Sequence, residues 1–185
     1  MAGRTAEAAT LPLSALGPRI VILGPSNSGK STLAAALGRK LARPVVHLDQ
    51  LRHLPGTDWV QRPDADFARL HGEAIAGPAW IIEGNYAFLL PPRLKRATGA
   101  ILLDDTSWAN LARYLRRTLF ERDRAGHLDG APERVKGMMI HWILAVSPRH
   151  TRQNRAALAA SGLPLVSSGS MRALRRLYAA WQLEP

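Results

Sequence analysis

Residues 19–41 fall into three pieces that constrain one another. Arg19-Ile-Val-Ile-Leu23 is an unbroken apolar run, the pattern of a strand buried on both faces. Gly24-Pro-Ser-Asn-Ser-Gly-Lys-Ser31 then turns the chain, and the following residues place Leu33, Leu37 and Leu41 at helical spacing. The turn matches G-x-x-x-x-G-K-[ST] at every fixed position. Gly24 and Gly29 permit dihedrals that aim successive backbone N–H groups at one point. Lys30 adds a mobile positive charge for β- and γ-phosphates, Ser31 a hydroxyl suited to Mg²⁺, and the helix its positive end. By average residue frequencies the pattern arises by chance in about one chain in a hundred of this length. Here it stands between a strand and a helix, where its mechanism requires it. Gly24, Pro25, Ser26, Asn27, Ser28, Gly29, Lys30, Ser31 and Thr32 are therefore the expected nucleotide-binding residues.

The rest of the chain alternates short apolar runs with helical patterns. Pro44-Val-Val-His-Leu48, Trp80-Ile-Ile82, Ala100-Ile-Leu-Leu103 and Pro164-Leu-Val166 read as strands. Residues 64–76 read as a helix with Phe67, Leu70, Ala74 and Ile75 on its apolar side. From Thr106 an amphipathic helix carries Trp108, Leu111, Ala112, Leu115 and Leu119, until the polar stretch 121–131 interrupts it. A helix over 135–146 aligns Val135, Met138, Met139, Trp142, Ile143 and Val146 on one face, which that spacing assigns to the core. Residues 150–160 form a further helix, and the last one buries Met171, Leu174, Leu177, Tyr178 and Trp181. Such alternation calls for a parallel sheet with helices on both faces, in a single domain over residues 19–185. Residues 1–18 read as a flexible tail, with no apolar block long enough for a secretory signal.

Composition narrows the function classes. No apolar run approaches the length of a membrane span, and the absence of cysteine excludes disulfides and thiolate metal sites. Nothing in the chain argues for export, which makes the cytoplasm the expected location. The net charge of +11 invites a nucleic-acid reading. Only four of the 25 basic residues are lysines, however, and the arginines are spread out, densest between Arg113 and Arg124. An anionic small substrate accounts for that excess equally well, and no DNA-reading module is recognisable. The six histidines lack metal-ligand spacing on any one element.

Among proteins with this loop, ring ATPases and helicases need more chain than 185 residues leave, and the Asn-Lys-x-Asp string that GTPases use to read guanine does not occur. Three strand ends carry acids instead: Asp49, Glu83 and the pair Asp104-Asp105. In parallel sheets those ends are where ligands sit. Asp49 could instead cap the next segment, Glu83 at the end of an apolar strand beside the loop is read as functional, and for Asp104-Asp105 a capping role before Thr106 is the favoured reading.

In these residues the chain resembles the small P-loop kinases of the adenylate, shikimate and gluconate kinase type. It looks closest to the adenylate-kinase-like family labelled DNA topology modulation protein, or FlaR. The resemblance rests on residues 19–32, His47-Leu-Asp49, Trp80-Ile-Ile-Glu-Gly-Asn-Tyr86, Ile101-Leu-Leu-Asp104 and the basic segment 113–124. It implies a three-layer P-loop fold with a five-stranded parallel sheet ordered 2-3-1-4-5. It also implies a substrate arm over about 49–78 and a lid over about 116–134. Glu83 would stand at the Walker B position and share Mg²⁺ with Ser31, although many relatives carry Asp there. Asp49 would face the acceptor. Arg113, Arg116, Arg117, Arg122 and Arg124 read equally as a solvated face or as a clamp on the charge that develops in phosphoryl transfer, with Arg117 and Arg122 the first candidates for the clamp. The Asp-Gly-x-Pro-Arg run of adenylate kinases is missing after Gly84, which argues against AMP as acceptor. The expected activity is ATP- and Mg²⁺-dependent phosphoryl transfer to a small molecule, a nucleotide or a hydroxylated metabolite. The alternative is a regulatory or nucleic-acid-associated ATPase with slow hydrolysis, in which the arginine-rich helix meets DNA or RNA.

Overall fold

The computed structural model describes residues 11–120 and 137–184, without the side chains of Arg117, Leu119 and Phe120. Five strands, β1 (Arg19–Leu23), β2 (Val45–His47), β3 (Trp80–Glu83), β4 (Gly99–Leu103) and β5 (Leu165–Ser168), form one all-parallel sheet. Their order is β2-β3-β1-β4-β5, as the resemblance implied. The helices are α1 (Lys30–Leu41), α2 (Leu48–Arg52), α3 (Asp64–Ala76), α4 (Leu90–Arg96), α5 (Ser107–Phe120), α6 (Gly137–His141), α7 (Ser147–Ser161) and α8 (Met171–Ala180).

Alternation along the central strands sorts side chains to two cores. Ile20 and Ile22 of β1, Ile81 of β3 and Ile101 of β4 point to one face and pack with Leu33 and Leu37 of α1 and Leu174 and Leu177 of α8. Val21, Leu23, Ile82 and Leu102 point to the other, against Leu48, Phe67, Ile75, Leu90 and Leu158. Each such side chain contributes about 1.5–3 kcal/mol on burial. A strand sandwiched this way has no solvent face, hence the unbroken apolar run of β1. Because all strands run parallel, the ends of β1, β2, β3 and β4 open on one edge, where the glycine-framed turn begins. Among the described residues no helix is long and apolar enough to cross a membrane.

Three expectations need correction. Residues 11–18 belong to the fold and are not tail: Leu13–Leu16 makes a 3-10 turn that buries Leu16 completely. The Thr98 hydroxyl donates to the Leu16 carbonyl at 2.9 Å, and the Trp181 indole N–H donates to the Leu11 carbonyl at 3.0 Å. A Cβ on Gly99 would sit 2.5 Å from the Leu16 carbonyl oxygen, so glycine there is what lets the turn approach β4. The leucines at 11, 13 and 16 follow neither strand nor helix period, so no pattern betrayed them. Residues 1–10 lie outside the described residues.

The second correction concerns residues 137–161, expected as parts of two helices. The helix α6, a π-helical turn at Trp142–Val146 and α7 follow one another without a break. Pro148, which has no N–H to donate, comes just after the π-helical turn. Of the face assigned to the core only Ile143 is buried, while Met138 and Trp142 are exposed; Val135 lies outside the described residues. The third correction is the orientation of α5. Trp108 is 73% exposed, and the buried residues are Asn110 and Tyr114. Periodicity located an apolar stripe, but hydrogen bonds of Asn110 and Arg113 decide which side turns inward.

Truncating a completely buried side chain leaves a cavity as well as lost transfer energy. Leu16→Ala is accordingly expected to lower the unfolding free energy in urea by about 2–4 kcal/mol. A change below about 0.5 kcal/mol, as at an exposed site, would return residues 11–18 to the status of tail.

Candidate functional site

The turn after β1 has the backbone its sequence calls for. Gly24, Asn27 and Gly29 have φ of 151°, 63° and 90°, and a Cβ on Gly24 would collide with the Leu103 carbonyl. Alternating handedness of this kind makes an anion-binding concavity at the start of α1. The Asn27 side-chain amide and the Ser28 hydroxyl are buried there without a partner among the described residues. Lys30 folds back so that Nζ donates to the Pro25 carbonyl at 2.7 Å. Ser26 is half-buried beside it, and Thr32 is exposed on the first turn of α1.

Beneath the turn lies Glu83, the last residue of β3 and 3% exposed. Its Oε1 accepts from the Ser31 hydroxyl at 2.8 Å and from His47 Nδ1–H at 2.8 Å. Burial alone would push this carboxyl up, but the His47 hydrogen bond, the Lys30 charge and the Ser31 hydroxyl hold it below the ordinary carboxylate value. Ser31 and Glu83, singled out from the sequence, are thus side by side. No cluster of three potential His, Asp, Glu or Cys ligands exists among the described residues. A hydroxyl and a carboxylate are hard oxygen donors suited to Mg²⁺, which completes its octahedron with phosphate oxygens and water. With the orphaned polar atoms above, the donor set fits a magnesium–nucleotide complex.

Behind Glu83 stands a polar scaffold that sequence reasoning missed. The Asn85 side chain accepts from the Gly24 N–H at 3.2 Å and donates to the Gly24 carbonyl at 3.0 Å. Arg93, from α4, is completely buried and donates to the carbonyls of Gly84 at 2.7 Å and Asn85 at 2.6 Å. Burial brings its guanidinium down to about 10, against the pull of Glu83, so it stays charged at neutral pH. Asn154 of α7 donates to Asn85 Oδ1 at 3.1 Å, which ties the long helical rod to the start of the turn. Asn85 is 61 positions from Gly24 and Asn154 is 69 from Asn85, and Arg93, though only eight and nine positions from its partners, follows no period. The string Glu83-Gly-Asn-Tyr86 was the only signal that touched them.

The acids at the other strand ends divide. Asp49 sits in the first turn of α2 and not at the end of a strand, because β2 stops at His47. It is exposed, and Oδ1 accepts from the Tyr86 hydroxyl at 2.6 Å. Asp105 does not cap α5 in the expected way: the Thr106 hydroxyl accepts from the Ala109 N–H at 3.3 Å. Asp105 Oδ2 instead pairs with Arg113 at 2.8 Å, and Arg113 Nε donates to the Asn27 carbonyl at 2.7 Å. Asp104 pairs with Arg155. Pro25, Asp105, Thr106, Thr151, Arg152 and Arg155 line part of a cleft of about 510 Å³ beside the turn. Arg117 belongs to α5 by its backbone, but its side chain lies outside the described residues, as do Arg122 and most of the lid span 116–134.

Comparisons with known proteins bear on the fold. A gluconokinase from Sinorhizobium meliloti superposes with a TM-score of 0.50 at 15% identity, over 90% of this chain and 93% of its own. Shikimate kinase from Bacteroides thetaiotaomicron gives 0.52 at 19%, over 90% and 99%. Shikimate kinase from Acinetobacter baumannii, solved with shikimate, gives 0.52 at 16%, over 89% and 93%. The chain therefore shares the P-loop kinase fold. No protein-family model and no curated protein matches the sequence.

Removing the Asn85 amide strips Gly24 of both side-chain bonds. Asn85→Ala is expected to cost about 1–3 kcal/mol of stability in urea and to weaken ATP binding. Unchanged values for both would show that the clamp is idle. His71 on α3 is buried, and that burial, with Arg93 nearby, lowers its pKa to about 4 from 6.5. Between those values the unfolded chain binds a proton that the folded one refuses, so stability falls as pH drops from 6.5 towards 4. His71→Leu should flatten that part of the stability–pH curve; an equally steep curve would exclude His71 as its source.

Proposed function

We propose that this chain is an ATP- and Mg²⁺-dependent phosphotransferase acting on a small acceptor, a nucleotide or a hydroxylated metabolite. The observation that carries the reading is Glu83. A buried carboxylate, hydrogen-bonded to the hydroxyl that follows the loop lysine, is a place prepared for a cation beside phosphates. In this reading the turn amides and Lys30 hold the β- and γ-phosphates, and Ser31 and Glu83 hold the ion. Bound there, Mg²⁺ would neutralise charge that develops on the phosphate oxygens.

Asp49 orients the acceptor and takes its proton. The acceptor oxygen forms a bond to the γ-phosphorus while the bond from that phosphorus to the β–γ bridging oxygen breaks, and ADP leaves with the electron pair. Residues 49–78 serve as the acceptor-side arm, and the lid span 116–134, with Arg117 and Arg122, closes over the nucleotide to exclude water. The likeness to kinases of gluconate and shikimate supports a hydroxyl as the receiving group.

ATP consumption by purified protein, with and without a panel of acceptors, tests the reading. One acceptor should stimulate turnover and yield a phosphorylated product, and Lys30→Ala should lower that turnover at least about 100-fold while the fold survives. Wild-type turnover in Lys30→Ala would sink the assignment. Tight ATP binding with turnover indifferent to every acceptor, together with steeply salt-sensitive DNA binding, would replace it with the regulatory ATPase.

A further inference from the structure

Aromatic side chains connect to Asp49 from two sides. The Asp49 carbonyl accepts from His53 at 2.9 Å, and the His53 ring meets Trp59 edge-on at 5.0 Å. On the other side, the Tyr86 hydroxyl binds the Asp49 carboxylate, and the Phe67 ring contacts Tyr86 at 4.9 Å and Phe88 at 5.9 Å. Phe88 is 54% exposed and Val60 51%. An aromatic surface therefore adjoins the carboxylate proposed to receive the acceptor proton. This surface also abuts the metal-side residues: Asp49 follows His47 by two positions and Tyr86 follows Glu83 by three.

Among the described residues, Arg52 and Arg62 make bonds within the arm. Arg52 donates to Asp64 at 2.6 Å and to Gln61 at 2.7 Å, and its guanidinium lies 5.4 Å from the centre of the Phe67 ring. Arg62 Nε donates to the Leu51 carbonyl at 3.1 Å. A polyhydroxylated acid would need a cation for its carboxylate and donors for its hydroxyls. An aromatic ring gains by covering Phe88, and it requires no countercharge.

Resting on the phosphotransferase reading, we propose that the acceptor is an uncharged hydroxyl compound built on an aromatic ring, of nucleoside type. Its ring packs on Phe88 beside the Tyr86–Phe67 pair, and its hydroxyl reaches Asp49. The transfer step is unchanged: the hydroxyl proton goes to Asp49, its oxygen bonds the γ-phosphorus, and ADP departs.

The test uses the full chain with Mg²⁺ and ATP. Adenosine, guanosine, cytidine and uridine form one acceptor set, gluconate and shikimate a second, and the nucleoside monophosphates a third. Product is identified by mass spectrometry. The expected result is a nucleoside phosphate formed with one ADP per product. Phe88→Ala should raise KM for that nucleoside at least about tenfold and leave KM for ATP within about twofold, and Phe88→Tyr should restore it. A product from gluconate, shikimate or a monophosphate, with none from nucleosides, overturns the aromatic acceptor and leaves the phosphotransferase standing. A nucleoside KM unmoved in Phe88→Ala overturns the ring position. No product from any acceptor, with ATP bound, removes both readings.

Discussion

The negative charge of Glu83 is the constraint around which the site is built. A carboxylate this deeply buried costs several kcal/mol unless neighbours compensate it. Here the compensation comes from four directions: Ser31 at the head of α1, His47 at the end of β2, the Lys30 charge and the guanidinium of Arg93. None of these neighbours is local. They meet because the parallel register sets His47 and Ile22 opposite Glu83, one on each side. The sheet order is thus a condition of the chemistry, since β3 must lie between β2 and the strand that launches the turn.

Asn85 extends that ladder beyond its last backbone rung. The Gly84 N–H still donates to the Ile22 carbonyl at 3.3 Å, and one residue later a side-chain amide pairs with both backbone groups of Gly24. The turn is therefore held at its root like a strand, while Asn27, Ser28 and Lys30 remain at its rim. Arg93 fixes the other end of Asn85 through its carbonyl, so the clamp has no slack along the chain.

What was legible in the sequence rested on local order. The turn from Gly24 to Ser31, the apolar strands and the helix at Asp64–Ala76 are short-range patterns, and each is present, although β2 ends at His47 and hands Asp49 to α2. Ser31 and Glu83 could be named because one belongs to a fixed motif and the other ends an apolar run. His47, Asn85, Arg93 and Asn154 could not, because a single polar residue carries no period and, Arg93 apart, its partner lies tens of positions away. The misread faces of residues 107–120 and 137–146 have the same origin. Amphipathicity says that two sides differ, whereas the inward side of α5 was settled by Asn110 and by Arg113 reaching Asp105 and the Asn27 carbonyl.

The π-helical turn at Trp142–Val146 has a geometric consequence for the rod that contains it. Such a turn holds one residue more than an α-helical one, and each residue rotates a helix by about 100°. Ile143 within that turn and Thr151, Asn154 and Leu158 beyond it all face inward. Because the wider turn absorbs its surplus residue, excising one residue there would let the rod close as a plain α-helix with Asn154 still turned towards Asn85, whereas excising one from the α-helical stretch that follows would swing Asn154 by about 100°. The turn thus acts as a buffer: a one-residue change of length at this spot is taken up locally, and the grip of the rod on the root of the phosphate turn is kept.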